Sequence, residues 1–484
     1  MNLQGLLGWL SALSLFGSCV RVAAQAPVPR PNILLILADD LGWRDVGFNG
    51  SDFYETPNID RLAREGTVFR HAYAAAGNCA PSRACLLSGN YTPRHEVYAV
   101  GSTDRGPKQN QRLIPIPNRS GLAPENVTVA DALKQAGYAT GIFGKWHLGG
   151  PEGAPPGRQG FDTVFDSRQP DPNRRRDEPE DPKGIVSLTR KTIEFIENSK
   201  RDGKPFFAYL AHHAIHTALE SRPASLARFQ AKARGAQHGA PLYAACLYDL
   251  DAGVGRLVDK LDELGLSKNT LVVFTSDNGG TQQSSQEPLR GNKGGYYEGG
   301  IREPYVARWP GVIPAGRIDD TPIIHTDLFP TFLAAAKAET PPGKTLDGVN
   351  LLSLFRSEAP LSPRPLFWHF PGYLDNPVIR ARESDRKLGF RSRPTTVIRD
   401  GNWKLHLFHE EWALDGGRAG IPKNQAVELY DLSQDPGERH DLASERPEER
   451  DRLLAELLSW VDRIGARIPT QPNPAFKPVA SVAH

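Results

Sequence analysis

The chain has 484 residues, a formal net charge of +2, and 39% hydrophobic and 24% charged residues. That length accommodates one large domain with a smaller one beside it, and the composition is that of a globular protein, not a disordered, fibrous or membrane-embedded one. The near-neutral balance gives no footing for a nucleic-acid backbone, so nucleic acid is not an expected partner. Four cysteines are present, and the three beyond the first apolar stretch make no disulfide framework.

The first apolar stretch, Leu3 to Val20, is followed by Val22-Ala23-Ala24 and reads as a signal peptide over residues 1–24, cleaved before Gln25. Export to the periplasm or the exterior is therefore expected. As a spanning helix the stretch barely reaches the required length and contains helix-weakening Gly. Cys19 after Phe16-Gly17-Ser18 is a weaker, lipoprotein alternative. No other segment is long and apolar enough to span, so no stable membrane span is expected. Cleavage leaves Cys79, Cys85 and Cys246, and their spacing leaves pairing and separate burial of Cys85 and Cys246 equally open.

Asn32 to Ala38 contains the run Ile33-Leu34-Leu35-Ile36-Leu37, which suits a strand buried on both faces, as in a parallel sheet. Thr128 to Gly137 has helical spacing (Val129, Leu133, Ala136), and Ala139 to Phe143 resumes as a strand. Asp166 to Lys183, dense in charge and proline and including Arg174-Arg175-Arg176, is expected to be a solvated surface loop. A helix over Arg190–Lys200, a strand over Pro205–Ala211, a helix over Ala244–Leu264 ended by Gly265, and a buried strand over Thr270–Ser276 follow. This alternation predicts an α/β fold with a large doubly wound mixed sheet flanked by helices. Sites in such folds form at the carboxyl ends of strands.

Composition turns Pro-rich across Lys337–Pro365. Beyond it, short strands over 366–370, 395–399, 403–408 and 427–431 and a helix over 447–464 predict a smaller C-terminal antiparallel α+β subdomain. The expected division is a catalytic α/β domain over 25–355, the subdomain over 356–468 and a flexible tail over 469–484.

The polar clusters fall just after the core strands. Asp39 and Asp40 are adjacent carboxylates that repel unless compensated, and a hard divalent cation with oxygen ligands would do so. In Ser276-Asp277-Asn278-Gly279-Gly280, Asp277 and Asn278 offer further oxygens while the glycines let the backbone turn sharply. Three carboxylates and an amide at two strand ends make a plausible cage for Ca²⁺ or Mg²⁺, and no Cys/His spacing suits zinc. Read singly, each cluster is as well a turn or a helix cap. Lys145 and His147, two apart after the strand ending at Phe143, project to one side if the segment is extended. Lysine supplies charge for a tetrahedral anion, and histidine moves a proton near neutral pH. His212, His213 and His216 follow the next strand, and Lys293 sits in Gly291-Asn292-Lys293-Gly294-Gly295.

The run Cys79-Ala80-Pro81-Ser82-Arg83-Ala84-Cys85-Leu86-Leu87-Ser88-Gly89 resembles the C-x-P-S-R signature of the type I sulfatases. The order Asp39-Asp40, Cys79 to Arg83, Lys145-x-His147, His216, Asp277-Asn278, Lys293 is similar to that family from about Pro31 to Pro310. So is the surrounding text at Thr56-Pro57-Asn58-Ile59-Asp60, at Gly299-Gly300-Ile301-Arg302-Glu303-Pro304 and at Glu428-Leu429-Tyr430-Asp431-Leu432. Cys85 and Ser88 depart mildly, at positions where Ala and Thr are common.

This resemblance to formylglycine-dependent, arylsulfatase-like enzymes of the alkaline-phosphatase-like superfamily implies a mechanism. A maturing enzyme would oxidise Cys79 to formylglycine. One hydroxyl of the aldehyde hydrate would attack sulfur, and the other would expel sulfate by re-forming the aldehyde. Asp39, Asp40, Asp277 and Asn278, with the formylglycine of Cys79, would hold the metal, usually Ca²⁺, with Mg²⁺ as the alternative. Arg83 would hold the modified side chain. Lys145 and Lys293 would bind sulfate oxygens, His216 would protonate the leaving alcohol with Lys293 assisting, and His147 would act as base in sulfate release. The proline usual near the catalytic histidine is absent, which leaves His212 or His213 as alternatives to His216.

Implied partners are the maturing enzyme and a sulfated carbohydrate or other sulfate ester. Tyr98 to Arg112, with Asp104, Arg105, Lys108 and Arg112, is a candidate sugar-reading segment, and Arg382, Arg386 and Arg391 are weaker ones. The rival functions are a phosphodiesterase or phosphonate hydrolase of the same superfamily and a degenerate sulfoglycan-binding protein. Asn49, Asn90, Asn118 and Asn126 lie in glycosylation sequons.

Overall fold

The computed structural model describes residues 30–168, 180–375, 390–421 and 423–477. The signal-peptide segment with Cys19, the Arg174–Arg176 run, Arg382 and Arg386 lie outside the described residues. In chain order the strands are β1 Asn32–Ala38, β2 Thr67–Phe69, β3 Ala72–Tyr73, β4 Ala139–Gly144, β5 Thr163–Phe165, β6 Phe206–Ala211, β7 Thr270–Ser276, β8 Arg302–Glu303, β9 Val306–Arg308, β10 Arg317–Asp319 and β11 Ile323–Ile324. The C-terminal part adds β12 Leu366–Phe370, β13 Leu374–Asp375, β14 Phe390–Ser392, β15 Thr395–Asp400, β16 Trp403–Phe408 and β17 Val427–Asp431.

Eight strands form the main sheet in the order β10-β2-β9-β7-β1-β6-β4-β5. β1 lies in its middle, parallel to both neighbours, with Leu35 opposite Tyr209 on β6 and Val273 on β7. β9 runs antiparallel to β7 and β2, which makes the sheet mixed. Successive side chains of a strand point to opposite faces, so the uninterrupted apolar run of β1 feeds two cores. Ile33, Leu35 and Leu37 join a cluster with Leu133 and with Phe329 and Phe332 of the helix Leu328–Ala336. Leu34 and Ile36 join the other, with Leu188 and Ile196 of the helix Ile185–Arg201 and Leu250 and Val254 of the helix Pro241–Glu263. The predicted doubly wound α/β architecture is the one observed.

Thr128 starts the helix Val129–Gln135 with a reciprocal cap, its Oγ1 accepting from the Asp131 amide at 3.2 Å while Asp131 accepts from the Thr128 amide at 2.9 Å. The helix expected from Arg190 begins earlier, at Ile185, because Asp181 accepts from the amides of Val186 and Ser187 at 2.7 and 3.1 Å and Ile185 and Leu188 are buried. The described ends of the expected surface loop are likewise docked. Lys183 is buried and donates to the Ala218 carbonyl at 2.8 Å, and Asp166 lies 2.8 Å from His213 Nε2.

The C-terminal part is a four-stranded antiparallel sheet, β12-β15-β16-β17, covered by the helix Pro447–Ile464, with Phe367 stacked on Trp460 at 4.5 Å. Lys404 of β16 is fully buried against the large domain, with Nζ 2.9 Å from Glu298 and 3.0 Å from Glu438. Residues 469–477, expected to fray, run along the 109–114 loop: the amides of Ile114, Asn473 and Lys477 donate to Gln471, Arg112 and Gln109 at 2.9 Å each. Cys79, Cys85 and Cys246 are buried free thiols, and Cys85 sits 3.4 Å from His95 Nε2. Asn90 is buried with its amide nitrogen donating to Thr345 O at 2.8 Å, which closes that sequon to a glycan. No described helix is long and apolar enough to cross a membrane.

Candidate active site

The site is built where β1, β4, β6 and β7 end together. β1 and β7 are interlocked just past their last residues: the Asp277 amide donates to Ala38 O at 3.1 Å, and the Asp40 amide donates to Asp277 Oδ1 at 3.1 Å. The second bond requires Asp40 to turn into left-handed backbone, φ 66°. A non-glycine residue seldom adopts that conformation, and such strain concentrates at functional sites.

Cys79 is the first residue of the helix Cys79–Ser88, all ten residues of which are buried. Gly89, at φ 67°, ends it by donating to Cys85 O at 2.8 Å. This placement puts Cys79 Sγ 3.5 Å from Asp39 Oδ1 and 3.7 Å from Asp40 Oδ1. One ligand atom from each of Asp39, Asp40, Cys79 and Asp277 falls within 4.8 Å of the others.

Three cations surround these three carboxylates. Arg83, one helical turn after Cys79, donates from Nε to Asp277 Oδ2 at 2.9 Å and from Nη1 to Lys145 O at 2.9 Å, and its Nη2 ion-pairs with Asp277 Oδ2 at 2.7 Å. Lys145 Nζ reaches Asp39 Oδ2 at 2.7 Å, and Lys293 Nζ reaches Asp40 Oδ2 at 2.7 Å. His216 Nε2 lies 3.8 Å from Asp40 Oδ2. Of the three histidines after β6, His212 is fully buried with neither ring nitrogen partnered, His213 pairs with Asp166, and His216 is the one against the carboxylates.

Burial works against ionisation of Asp39, but Lys145, Arg83 and Lys293 overcome it and hold its carboxyl well below the usual range. Asp277 is pushed up by burial and by the charge of Asp39, despite Arg83. Cys79 is pushed up by burial and then by Asp277 and Asp39, so the thiol stays protonated and is a poor nucleophile. His147 is pushed down to about 3 by burial, then by Lys145 and Arg83, and its buried Nδ1 has no partner. Its backbone is left-handed, φ 62°, so the segment after β4 is not the extended run that the Lys145–His147 spacing was read on.

The donor set suits a hard cation. Asn278 gives its amide nitrogen to Asp40 Oδ1 at 2.8 Å, and its buried Oδ1 has no hydrogen-bond partner. Asp39, Asp40 and Asp277 with that oxygen make an all-oxygen set of the kind Ca²⁺ and Mg²⁺ take.

Beside the cluster opens a pocket of about 180 Å³ lined by Asp40, Lys293, Asn292, Thr217, the Thr281-Gln282-Gln283 segment and, from the C-terminal part, Arg391. Thr217, Asn292 and Thr281 to Gln283 went unnoticed in the sequence. Their only signal was adjacency to His216, Lys293 and the Asp277–Gly280 turn. Within the candidate segment Tyr98–Arg112, Lys108 pairs with Asp104, Arg112 with Asp415 at 2.7 Å and Arg105 with Asp375 at 2.6 Å.

Residues 31–338 match the sulfatase family model. The chain is 33% identical to N-acetylgalactosamine-6-sulfatase of Sus scrofa, over 93% of this chain and 88% of that protein. It is 34% identical to arylsulfatase A of Homo sapiens, over 87% of this chain and 85% of that one. Among solved structures, Ps i-CgsB in complex with k-i-k-neocarrahexaose superposes with a TM-score of 0.70 and 29% identity, over 89% of this chain and 93% of that one. The fold and the matched signature thus define an alkaline-phosphatase-like sulfatase, and the chain belongs to the formylglycine-dependent sulfatase family. Its activity class is that of a sulfuric ester hydrolase.

Proposed function

We propose that this chain removes sulfate from sulfated carbohydrates once a maturing enzyme has converted Cys79 to formylglycine, with a hard divalent cation held by Asp39, Asp40, Asp277 and Asn278. The observation that carries this reading is the placement of Cys79: the first residue of a fully buried helix, its Sγ 3.5 Å from Asp39 Oδ1 and 3.7 Å from Asp40 Oδ1, inside the carboxylate cluster. Formylglycine hydrate at this position supplies a hydroxyl nucleophile for sulfur, and the cation, Ca²⁺ first and Mg²⁺ second, supplies charge that polarises a sulfate oxygen.

The remaining roles belong to side chains already in place. Arg83 fixes the Asp277 carboxylate and so the mouth of the cluster. Lys145 and Lys293, each ending on a carboxylate oxygen, are positioned to exchange that contact for a sulfate oxygen, where negative charge concentrates. His216, part-exposed beside Asp40, donates a proton to the leaving alcohol oxygen, with Lys293 assisting. His147, whose buried Nδ1 has no partner, is the side chain placed to accept the proton during sulfate release.

A sulfated carbohydrate substrate is supported by the relatives' names and by the neocarrahexaose complex of the structural neighbour. Export is supported by the N-terminal apolar segment and its small-residue cleavage site.

The test is hydrolysis by matured protein of matched sulfate, phosphate and phosphonate esters, alongside a Cys79→Ala variant. Sulfate esters are expected to be turned over and the variant to be inactive. Preference for phosphate or phosphonate esters would favour the rival hydrolase, and binding without turnover would favour the sulfoglycan-binding alternative.

A further inference from the structure

Arg391 stands out among the pocket-lining residues. It lies on β14, in the C-terminal part, yet shares the pocket with Asp40 and Lys293. Its aliphatic stem packs on Gly294, the residue after Lys293: a Cβ built there would lie 2.3 Å from Arg391 Cδ. Gly294 is also at φ 89°, so glycine is required twice over. Ser392, next along β14, donates from Oγ to Gly294 O at 2.7 Å. The strand bearing Arg391 is therefore fastened to the loop that carries Lys293.

Among the described residues, the guanidinium at this position forms no ion pair. Its buried Nε has no hydrogen-bond partner. The nearby carboxylate Asp375 is engaged by Arg105 at 2.6 Å, and Asp40 by Lys293 and Asn278. Burial and then the neighbouring Arg105 work against its charge, and Asp375 and Asp40 offset them only in part. A half-buried arginine without a carboxylate partner, opening into a pocket, is a costly arrangement unless a ligand completes it. Its planar fork matches the oxygens of a sulfate or a carboxylate.

We propose that Arg391, with Arg105 behind it, forms a subsite for a second anionic group of the substrate, a sulfate or carboxylate beside the sulfate ester that is cleaved. The preferred substrate is then a polyanionic saccharide, not an isolated monosulfated sugar. This rests on the sulfatase reading above.

The test uses the full, matured chain and four probes: p-nitrophenyl sulfate, N-acetylgalactosamine 6-sulfate, N-acetylgalactosamine 4,6-disulfate and a 6-sulfated disaccharide carrying a uronate carboxylate. Wild-type enzyme is expected to prefer one of the last two over the monosulfated sugar, and which one identifies the second anion. In Arg391→Ala, the ratio of kcat/KM on that probe to kcat/KM on p-nitrophenyl sulfate is expected to fall by roughly tenfold or more, with partial recovery in Arg391→Lys. A wild-type enzyme indifferent to the second anion, or a ratio unchanged in Arg391→Ala, would overturn the subsite alone. Matured wild type that hydrolyses none of the sulfate esters would overturn the sulfatase reading and the subsite with it.

Discussion

Arg83 places Nε and Nη2 on one oxygen of Asp277, at 2.9 and 2.7 Å, with neither side chain exposed. This pair joins the helix that begins at Cys79 to the end of β7, and so fixes Cys79 against the carboxylate cluster. Removing one partner of a buried pair strands the other charge without water or counter-ion. Arg83→Ala is expected to lower unfolding stability by about 3–5 kcal/mol, read by urea denaturation. Wild-type stability in that variant would mean the pair is not coupled to the fold.

Lys145 and Lys293 hold the same kind of position on opposite carboxylates, Asp39 and Asp40. Replacing either by Ala removes one donor from the developing charge on sulfate. The expected loss in kcat/KM on p-nitrophenyl sulfate is about 10²–10³-fold for each. The double variant should lose less than the product of the two, because both act on one anion. A change within threefold for either single variant would exclude it from sulfate binding.

The unpartnered oxygen of Asn278 ties metal binding to stability. Extended dialysis against EGTA is expected to abolish turnover and lower the melting temperature, and added Ca²⁺ to restore both. At a free ion concentration one hundred times Kd the ion adds about 2.7 kcal/mol to stability. Asn278→Ala should shift the calcium titration, followed by melting temperature, to higher concentration. Melting temperatures that ignore both chelator and calcium would contradict the assigned cage.

Lys404 reaches across from the small sheet to Glu298 of the large domain and also contacts Glu438 of its own part of the chain. Lys404→Met removes the lysine shared by these two buried acids and leaves Glu438 to His406 and Glu298 to Arg302 and Tyr73. It is expected to destabilise the protein by about 3–5 kcal/mol, read by urea denaturation. Unchanged stability would show that the two parts of the chain are not coupled there.

The sequence was most legible where burial is uniform. β1 and β7 read directly as apolar runs because both of their faces are covered. The antiparallel strands β12, β16 and β17 and the last helix fell on their predicted residues. Two-residue strands such as β3 and β8 carry too little pattern to detect. The helix Cys79–Ser88 is buried on every side, so it shows no amphipathic stripe.

Long-range charge pairing was the least legible feature. Lys404 alternates with apolar residues along β16 and reads as solvent-facing, yet it is fully buried because its partners, Glu298 and Glu438, come from distant segments. Nothing local in the sequence marks such a pair. Asp39, Asp40, Asp277 and Lys145 could be singled out because each follows a strand whose end was readable, and Lys293 by its Gly-rich loop, but which cation faces which carboxylate required the fold.

The central claim is that Cys79 is a modification site. The most direct measurement is the mass of the Cys79-containing peptide from protein produced with an active formylglycine-generating enzyme. The account predicts a peptide in which an aldehyde has replaced the thiol, in protein that also turns over sulfate esters. A peptide that retains an intact cysteine throughout, while a control substrate of the maturing enzyme is fully converted, would contradict it.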